Sequence, residues 1–285
     1  MAWTLTDDLD AFLDAAGGFL SADAAENTVL LTVAEAVRRE GQRAFGEQPP
    51  HYGWWCPPGR TAVTGAYLQT PPFSPALGRM PESAAAELAT ALAERGDPLT
   101  GVFGGTAEAR AFAAAWRSAT GADHSVRRRE RLYRLGTLTV PEPPGAARPA
   151  RPEDRDLVIG WFEAFARGEG EPVRDFSRGV DRRIAEGRMH LWEDEGQPVS
   201  MAGASPASAG MVRIGPVYTP PERRRRGYAA GATAAASAHA AARGAREVLL
   251  FTDLANPTSN ALYQRLGYRP VSDRLVLAFS PSAGD

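Results

Sequence analysis

The sequence predicts a mixed α/β fold in two domains, on three observations. Segments with strand and helix periodicity alternate along most of its 285 residues. That length is long for one domain and comfortable for two. Residues 141–152 (PEPPGAARPARP) are proline-rich and read as an extended, semi-rigid spacer.

In the first half, residues 5–19 carry the apolar spacing of an amphipathic helix (Leu5, Leu9, Phe12, Leu13). Residues 27–37 fit either a strand and turn or a helix. Residues 52–56 and 62–69 read as strands joined by the turn Pro57-Pro58-Gly59. A helix is expected over 80–95, stopped by Gly96, then a short strand at 99–103, a turn at Gly104-Gly105 and a helix over 106–120. Residues 126–140 alternate as a long strand (Tyr133, Leu135, Leu138, Val140).

In the second half, residues 146–149 can pair as a first strand. Glu153 and Asp154 open a helix to about Arg167, acids first as the helix dipole prefers. Trp161, Phe162 and Phe165 on it suit a core or a pocket wall. A helix over 173–186 precedes a hairpin of 189–193 and 199–204. The strand 211–218 ends at Pro220-Pro221, because proline cannot donate to a ladder. From Gly227 an alanine-rich helix runs to about Arg243. A strand at 247–252, a helix at 257–266 and strands at 268–271 and 274–279 close the sheet.

Composition excludes several classes. Apolar residues make up 44% and charged residues 23%, as in an ordinary soluble globular chain. A net charge of −2 gives no overall attraction to nucleic acid. Every basic residue is arginine, so no argument rests on arginine replacing lysine. Cys56, the single cysteine, allows neither an intrachain disulfide nor a cysteine metal cluster, and beside Trp54 and Trp55 it is expected to be buried. Acids occupy the first residues where a signal peptide needs positive charge, and no apolar run approaches the ~20 residues of a membrane span. A cytoplasmic protein is expected.

The functional signal lies at 217–230. A strand, a tight basic loop and a helix start meet there, leaving main-chain N–H groups unpaired at the positive end of a helix, which is an anion site. Gly227 permits close approach, and Ala229 keeps the first turn small. Arg224-x-x-Gly227-x-Ala229 resembles the Arg/Gln-x-x-Gly-x-Gly/Ala element of the GNAT (acetyl-CoA-dependent N-acetyltransferase) superfamily. Downstream, Asn256…Asn260-Ala-Leu-Tyr263…Gly267-Tyr268 is similar to that superfamily's second hallmark. Asn256, Asn260 and Tyr263, at i, i+4 and i+7, share a helix face.

The resemblance implies a tandem GNAT protein, each domain a twisted, mostly antiparallel sheet flanked by helices. Residues 1–140 form a degenerate copy without the phosphate loop, 141–152 a linker or first strand, and 146–285 the catalytic domain. It implies that Val217, Tyr218 and Thr219 pair with the pantetheine arm of acetyl-CoA. The loop Arg224, Arg225, Arg226, Gly227, Tyr228, Ala229 and Ala230 would hold its phosphates, with Asn256 and Asn260 beside the arm. Tyr263 would be general acid to the departing thiolate. No metal is required.

The acceptor is expected to be a primary amine on a small molecule or protein, and the protein a monomer or homodimer. The strand ending at Val217 carries Arg213 and no carboxylate, so a general base is sought among Glu163, Glu193, Asp194 and His190, or in a water. The arginine runs 127–131 and 223–226 also suit phosphate contact, so an aminoacyl-tRNA donor is one alternative. A non-catalytic coenzyme A sensor is another.

Overall fold

The computed structural model describes residues 2–170 and 173–280. The chain forms two compact units. The first takes Met1–Leu132, Thr252–Ala255 and Val271–Asp285, and the second Tyr133–Phe251 and Asn256–Pro270.

One element order occurs twice. It runs β1 (Trp3–Thr6), α1 (Leu9–Ala22), α2 (Thr28–Glu40), β2 (His51–Trp55), β3 (Gly65–Gln69), β4 (Ala76–Leu77), α3 (Glu82–Glu94), β5 (Gly101–Gly105), α4 (Thr106–Thr120) and β6 (His124–Leu135). It then repeats as β7 (Ala146–Pro149), α5 (Arg155–Glu169), α6 (Ser177–Ala185), β8 (Met189–Asp194), β9 (Gln197–Ala204), β10 (Met211–Tyr218), α7 (Tyr228–Ala242), β11 (Glu247–Asp253), α8 (Pro257–Arg265) and β12 (Tyr268–Phe279). Pairing is antiparallel through β1–β4 and through β7–β10. Only β4–β5 and β10–β11 are parallel among the registered pairs.

Two short strands escape the sequence reading. The helix expected from Leu5 starts at Leu9, because Asp8 Oδ1 accepts the amides of Asp10 and Ala11 (2.9 and 3.1 Å) and caps it there. Residues 3–6 instead form β1, with the Trp3 indole donating to Ala84 O at 2.8 Å inside the core. β4 is two residues long, too short for any periodicity to show. The ambiguous segment at 27–37 is helical, and Cys56 is half-exposed rather than buried.

The first unit's core packs α3 and α4 on the sheet through Leu88, Leu92, Phe112 and Trp116. Leu275 and Leu277 of β12 belong to that core, and β12 pairs antiparallel with β5 from Arg274↔Gly105 to Ala278↔Gly101. The closing strand of the second repeat thus completes the first unit. Arg274 is buried against Glu26, its Nη2 donating to Glu26 O at 2.7 Å and to the Glu26 carboxylate.

In the first unit the turn between β4 and α3 is short, and the fold uses up its amides. Gly78 N donates to Ala66 O (2.9 Å) and Arg79 N to Asn27 Oδ1 (3.2 Å). Leu77 packs so closely on β5 that a Cβ at Gly104 would lie 3.0 Å from the Leu77 Cβ.

Burying a leucine contributes about 1.5–3 kcal/mol, so β12 supplies a large part of a domain's usual margin. A chain ending at residue 270 is expected to lose the near-ultraviolet circular dichroism of Trp3, Trp55 and Trp116. Leu275→Ala should lower stability to urea by about 2–5 kcal/mol. A first unit equally stable without β12 overturns this assignment.

Candidate functional site

β10 leads to the site and is irregular on both edges. Toward β9 the register passes from Ile214↔Ala204 to Val217↔Ala202, so β10 carries one extra residue at Gly215-Pro216. A bulge belongs there because Pro216 has no N–H for the ladder. Toward β11 the register covers Met211–Arg213 only, although β10 continues to Tyr218. Beyond Arg213, no registered pairing with β11 is present among the described residues. Val217 packs into the core of the second unit with Tyr228 and Tyr263.

The turn that follows is held by its own side chains. Ser200 Oγ donates to Tyr218 O (3.0 Å) and lies 2.8 Å from Thr219 Oγ1. Arg224 Nε donates to Thr219 O at 3.1 Å, so this guanidinium braces the loop from within. A 3-10 turn at Pro221–Arg223 precedes two left-handed residues, Arg225 (φ 65°) and Gly227 (φ 84°). A left-handed arginine costs of order 1 kcal/mol or more, and such strain clusters at functional sites. Gly227 is required for a second reason, since a Cβ there would meet Pro143 Cβ at 3.0 Å.

α7 then starts with no side-chain cap. Its first main-chain bond runs from Gly231 N to Gly227 O (3.1 Å). Among the described residues, nothing accepts from the amides of Arg225 to Ala230. Arg224, Arg225, Arg226 and Gly227 are exposed, Ala229 and Ala230 half-buried. Tyr228 is buried, its hydroxyl donating to Asp194 Oδ2. Gly231 lets α7 approach the sheet, since a Cβ would lie 2.5 Å from Trp192 Cε3.

At α8, Asn256 is the N-cap, its Oδ1 accepting from Ser259 N at 3.0 Å. The Asn260 amide is engaged at both ends, Nδ2 donating to Asn256 O (2.8 Å) and Oδ1 accepting from the Tyr133 hydroxyl (2.9 Å). Gln264 Nε2 donates to the same hydroxyl at 3.2 Å. Both asparagines organise α8. Tyr263 is buried, with its ring edge-to-face against Tyr268 at 6.0 Å. Burial, and secondarily the negative charge of Glu169, push its phenol up to about 12, so it is protonated at neutral pH.

The carboxylate candidates are already engaged. Glu193 pairs with Arg148, Asp194 with Tyr228, and Glu163 with Arg167 at 3.4 Å. His190 is buried 4.8 Å from the His239 ring, and burial followed by that neighbour lowers its pKa to about 4, leaving it neutral. Glu169 and Ser200 are the residues that sequence reasoning missed. Glu169 does lie on the α5 stripe of Trp161 and Phe165, at i+8 and i+4, but nothing local ties that stripe to Tyr263. Trp161 itself packs on Tyr218, ring centroids 6.0 Å apart. Among the described residues no three His, Cys, Asp or Glu side chains converge as a metal site.

Residues 155–268 match the Acetyltransferase (GNAT) family model. No curated protein matches the sequence. Among solved structures, the chain is similar to a GNAT-family acetyltransferase from Colwellia psychrerythraea (13% identity, 98% of this chain and 99% of that one, TM-score 0.60). It is similar to a GCN5-related N-acetyltransferase from Sphaerobacter thermophilus (20%, 98% and 95%, TM-score 0.62). A third is a tandem GNAT protein from the clavulanic acid biosynthesis pathway (14%, 99% and 99%, TM-score 0.57). Residues 155–268 therefore carry a match to the GNAT acetyltransferase family model, and the chain along nearly its whole length takes the tandem GNAT type of fold, a mixed α/β fold with mostly antiparallel strands flanked by helices.

Proposed function

We propose that the protein is an N-acetyltransferase that moves an acetyl (acyl) group from acetyl-CoA to a primary amine by direct attack in a ternary complex. The observation that carries this reading is the run of unbonded amides from Arg225 to Ala230 at the start of α7. A diphosphate suits it, because the amides, the helix dipole and the exposed guanidinium groups all favour negative charge. The edge of β10 at Val217, Tyr218 and Thr219 runs into that loop and offers main-chain partners to a pantetheine arm. Asn256 keeps its Nδ2 for the same arm, while the work of Asn260 is to hold α8. The catalytic domain is the one at 146–285, and the acceptor is a small-molecule or protein amine. A cytoplasmic location and a monomeric or homodimeric state belong to the same proposal; no described helix is long and apolar enough to cross a membrane.

In this reading the amine nitrogen bonds to the thioester carbonyl carbon, and main-chain N–H groups on the vacant edge of β10 hold the oxyanion. The carbon–sulfur bond breaks, and Tyr263 donates to the departing sulfur. The amine's proton leaves to water or a carboxylate. No carboxylate stands on β10, and that fact favours a second reading, a coenzyme A-binding sensor without turnover. Thiol release across a panel of amines separates the two; tight coenzyme A binding with no release from any amine identifies the sensor.

Gly227→Val forces a β-branched residue into a left-handed turn against Pro143. It should weaken coenzyme A by at least 10-fold in calorimetry, and unchanged uptake removes the loop from the site. Tyr263→Phe should lower kcat by roughly 10²-fold with coenzyme A affinity preserved; an unchanged kcat takes Tyr263 out of the mechanism. Glu169→Gln removes a charge that opposes phenolate, so the Tyr263 pKa should fall while staying above the ordinary value of about 10, followed as phenolate absorbance against the Tyr263→Phe background. The sign is fixed by the direction of the shift. A phenol raised above its unfolded value contributes stability that is complete below about pH 10 and lost as pH rises through 12.

A further inference from the structure

We propose that residues 136–145 are a positioning strap of the coenzyme A site, acting through Pro143 on the loop that opens α7. The inference rests on the reading of that loop as a diphosphate site. With prolines at 141, 143 and 144, the composition of the segment suits a stiff spacer. A spacer needs only to span a distance. This segment is instead fastened along its length to the elements that build the site.

Its first anchorage is the end of α8. Gly136 N donates to Gly267 O and Thr139 N to Leu266 O, both at 3.0 Å. Carbonyl groups at a helix end have no partner in the helix itself, and the strap supplies one. The approach is so close that a Cβ at Gly267 would lie 1.9 Å from Thr137 O. Leu138 packs against the core that holds Tyr228 and Tyr263. The second anchorage is β8. There the Trp192 indole donates to Pro144 O at 2.7 Å, and a Cβ at Gly145 would fall 2.1 Å from Glu193 O.

Pro143 stands between the two anchorages and backs Gly227. A Cβ at Gly227 would lie 3.0 Å from Pro143 Cβ and 3.8 Å from its Cγ. Gly227 is the left-handed N-cap beside the unbonded amides, and a strained turn persists only where its surroundings fix it. The bond from Arg224 to Thr219 O holds the loop upstream of the turn, and that from Tyr228 to Asp194 holds it downstream. Pro143 supports the turn itself. Its ring is a stiff apolar face without an N–H, so it braces Gly227 while no acceptor reaches the amides. One segment thus ties the end of α8, the helix of Asn256 and Tyr263, to the start of α7. It touches no substrate, and its role is positioning.

The test inserts three glycines between Val140 and Pro141 of the full chain, which slackens the strap between its anchorages. Closure entropy grows slowly with length, so the fold tolerates the insertion. Coenzyme A is measured by calorimetry, and pantetheine, which has the arm without the phosphates, by ligand-observed nuclear magnetic resonance. The insertion should weaken coenzyme A about 10-fold and leave pantetheine within about 2-fold, because only the diphosphate depends on the loop. Pro143→Gly, which needs no insertion, should weaken coenzyme A by about 5-fold through lost contact and stiffness. Pro143→Ala keeps the Cβ that meets Gly227 and should recover most of that loss. Coenzyme A affinity unchanged in the insertion and in Pro143→Gly makes the segment a spacer and overturns the proposal. Equal loss of both ligands also overturns it, since that marks a general loosening of the fold. Failure of the unaltered protein to take up coenzyme A overturns the reading of the loop, and this inference with it.

Discussion

Among the described residues, the main-chain N–H groups from Arg225 to Ala230 find no acceptor, and much of the second unit is arranged to keep them so. A helix start normally recruits a serine, aspartate or asparagine to satisfy part of this demand. Here the capping position is Gly227, in a left-handed conformation that offers no side chain at all. The surrounding contacts prevent the loop from collapsing on its own donors. Arg224 ties to Thr219 O, Ser200 fixes the end of β10, and the Tyr228 hydroxyl is anchored on Asp194. Gly231 lowers α7 onto Trp192, whose indole in turn donates to Pro144 O at 2.7 Å. The strain at Arg225 is affordable because so many neighbours fix the turn around it.

The first unit shows what the same element order becomes when that demand is met internally. Its junction between strand and helix contracts to residues 78–81, with Asn27 accepting from Arg79 N and Ala66 O from Gly78 N. β4 is reduced to two residues, and Leu77 closes against Gly104 where β10 leaves an edge without partner. A short connection costs less chain entropy and leaves fewer orphan groups. Length of loop, rather than identity of any one residue, therefore separates an anion-ready junction from a sealed one.

Much of this was legible in sequence because it is local. α4, β7 and β10 carry the expected bounds, each set by neighbours within a few residues: a proline stop, a glycine turn, a run of alternation. The junction of strand, turn and helix at 211–242 was legible for the same reason. What stayed hidden depends on distant chain. Nothing near residues 271–279 says that they complete the first unit, because β5, their partner, lies more than a hundred residues away. Asn260 reads as a ligand-facing amide until Tyr133, on another strand, is seen to occupy it. Cys56 looked buried beside two tryptophans, yet it stands at the end of β2, where the side chain is half outside.

The protonation of Tyr263 limits how it can act. An ordinary thiol ionises near ~8.5, and each pKa unit corresponds to about 1.4 kcal/mol. A phenol pushed up to about 12 would then pass its proton to a water-exposed thiolate only uphill, by roughly 5 kcal/mol on that scale. The same burial acts on the leaving sulfur, because a thiolate expelled beside Tyr263 loses its hydration and becomes the stronger base. The two pKa values converge only while both groups are dry. In the proposed reaction Tyr263 would thus serve as a hydrogen-bond donor that completes proton transfer late, as the carbon–sulfur bond opens. Under that proposal its deep packing between Tyr268 and the α7 core would be part of the chemistry, because a wetter phenol would match a hydrated thiolate no better and would stabilise the desolvated one less.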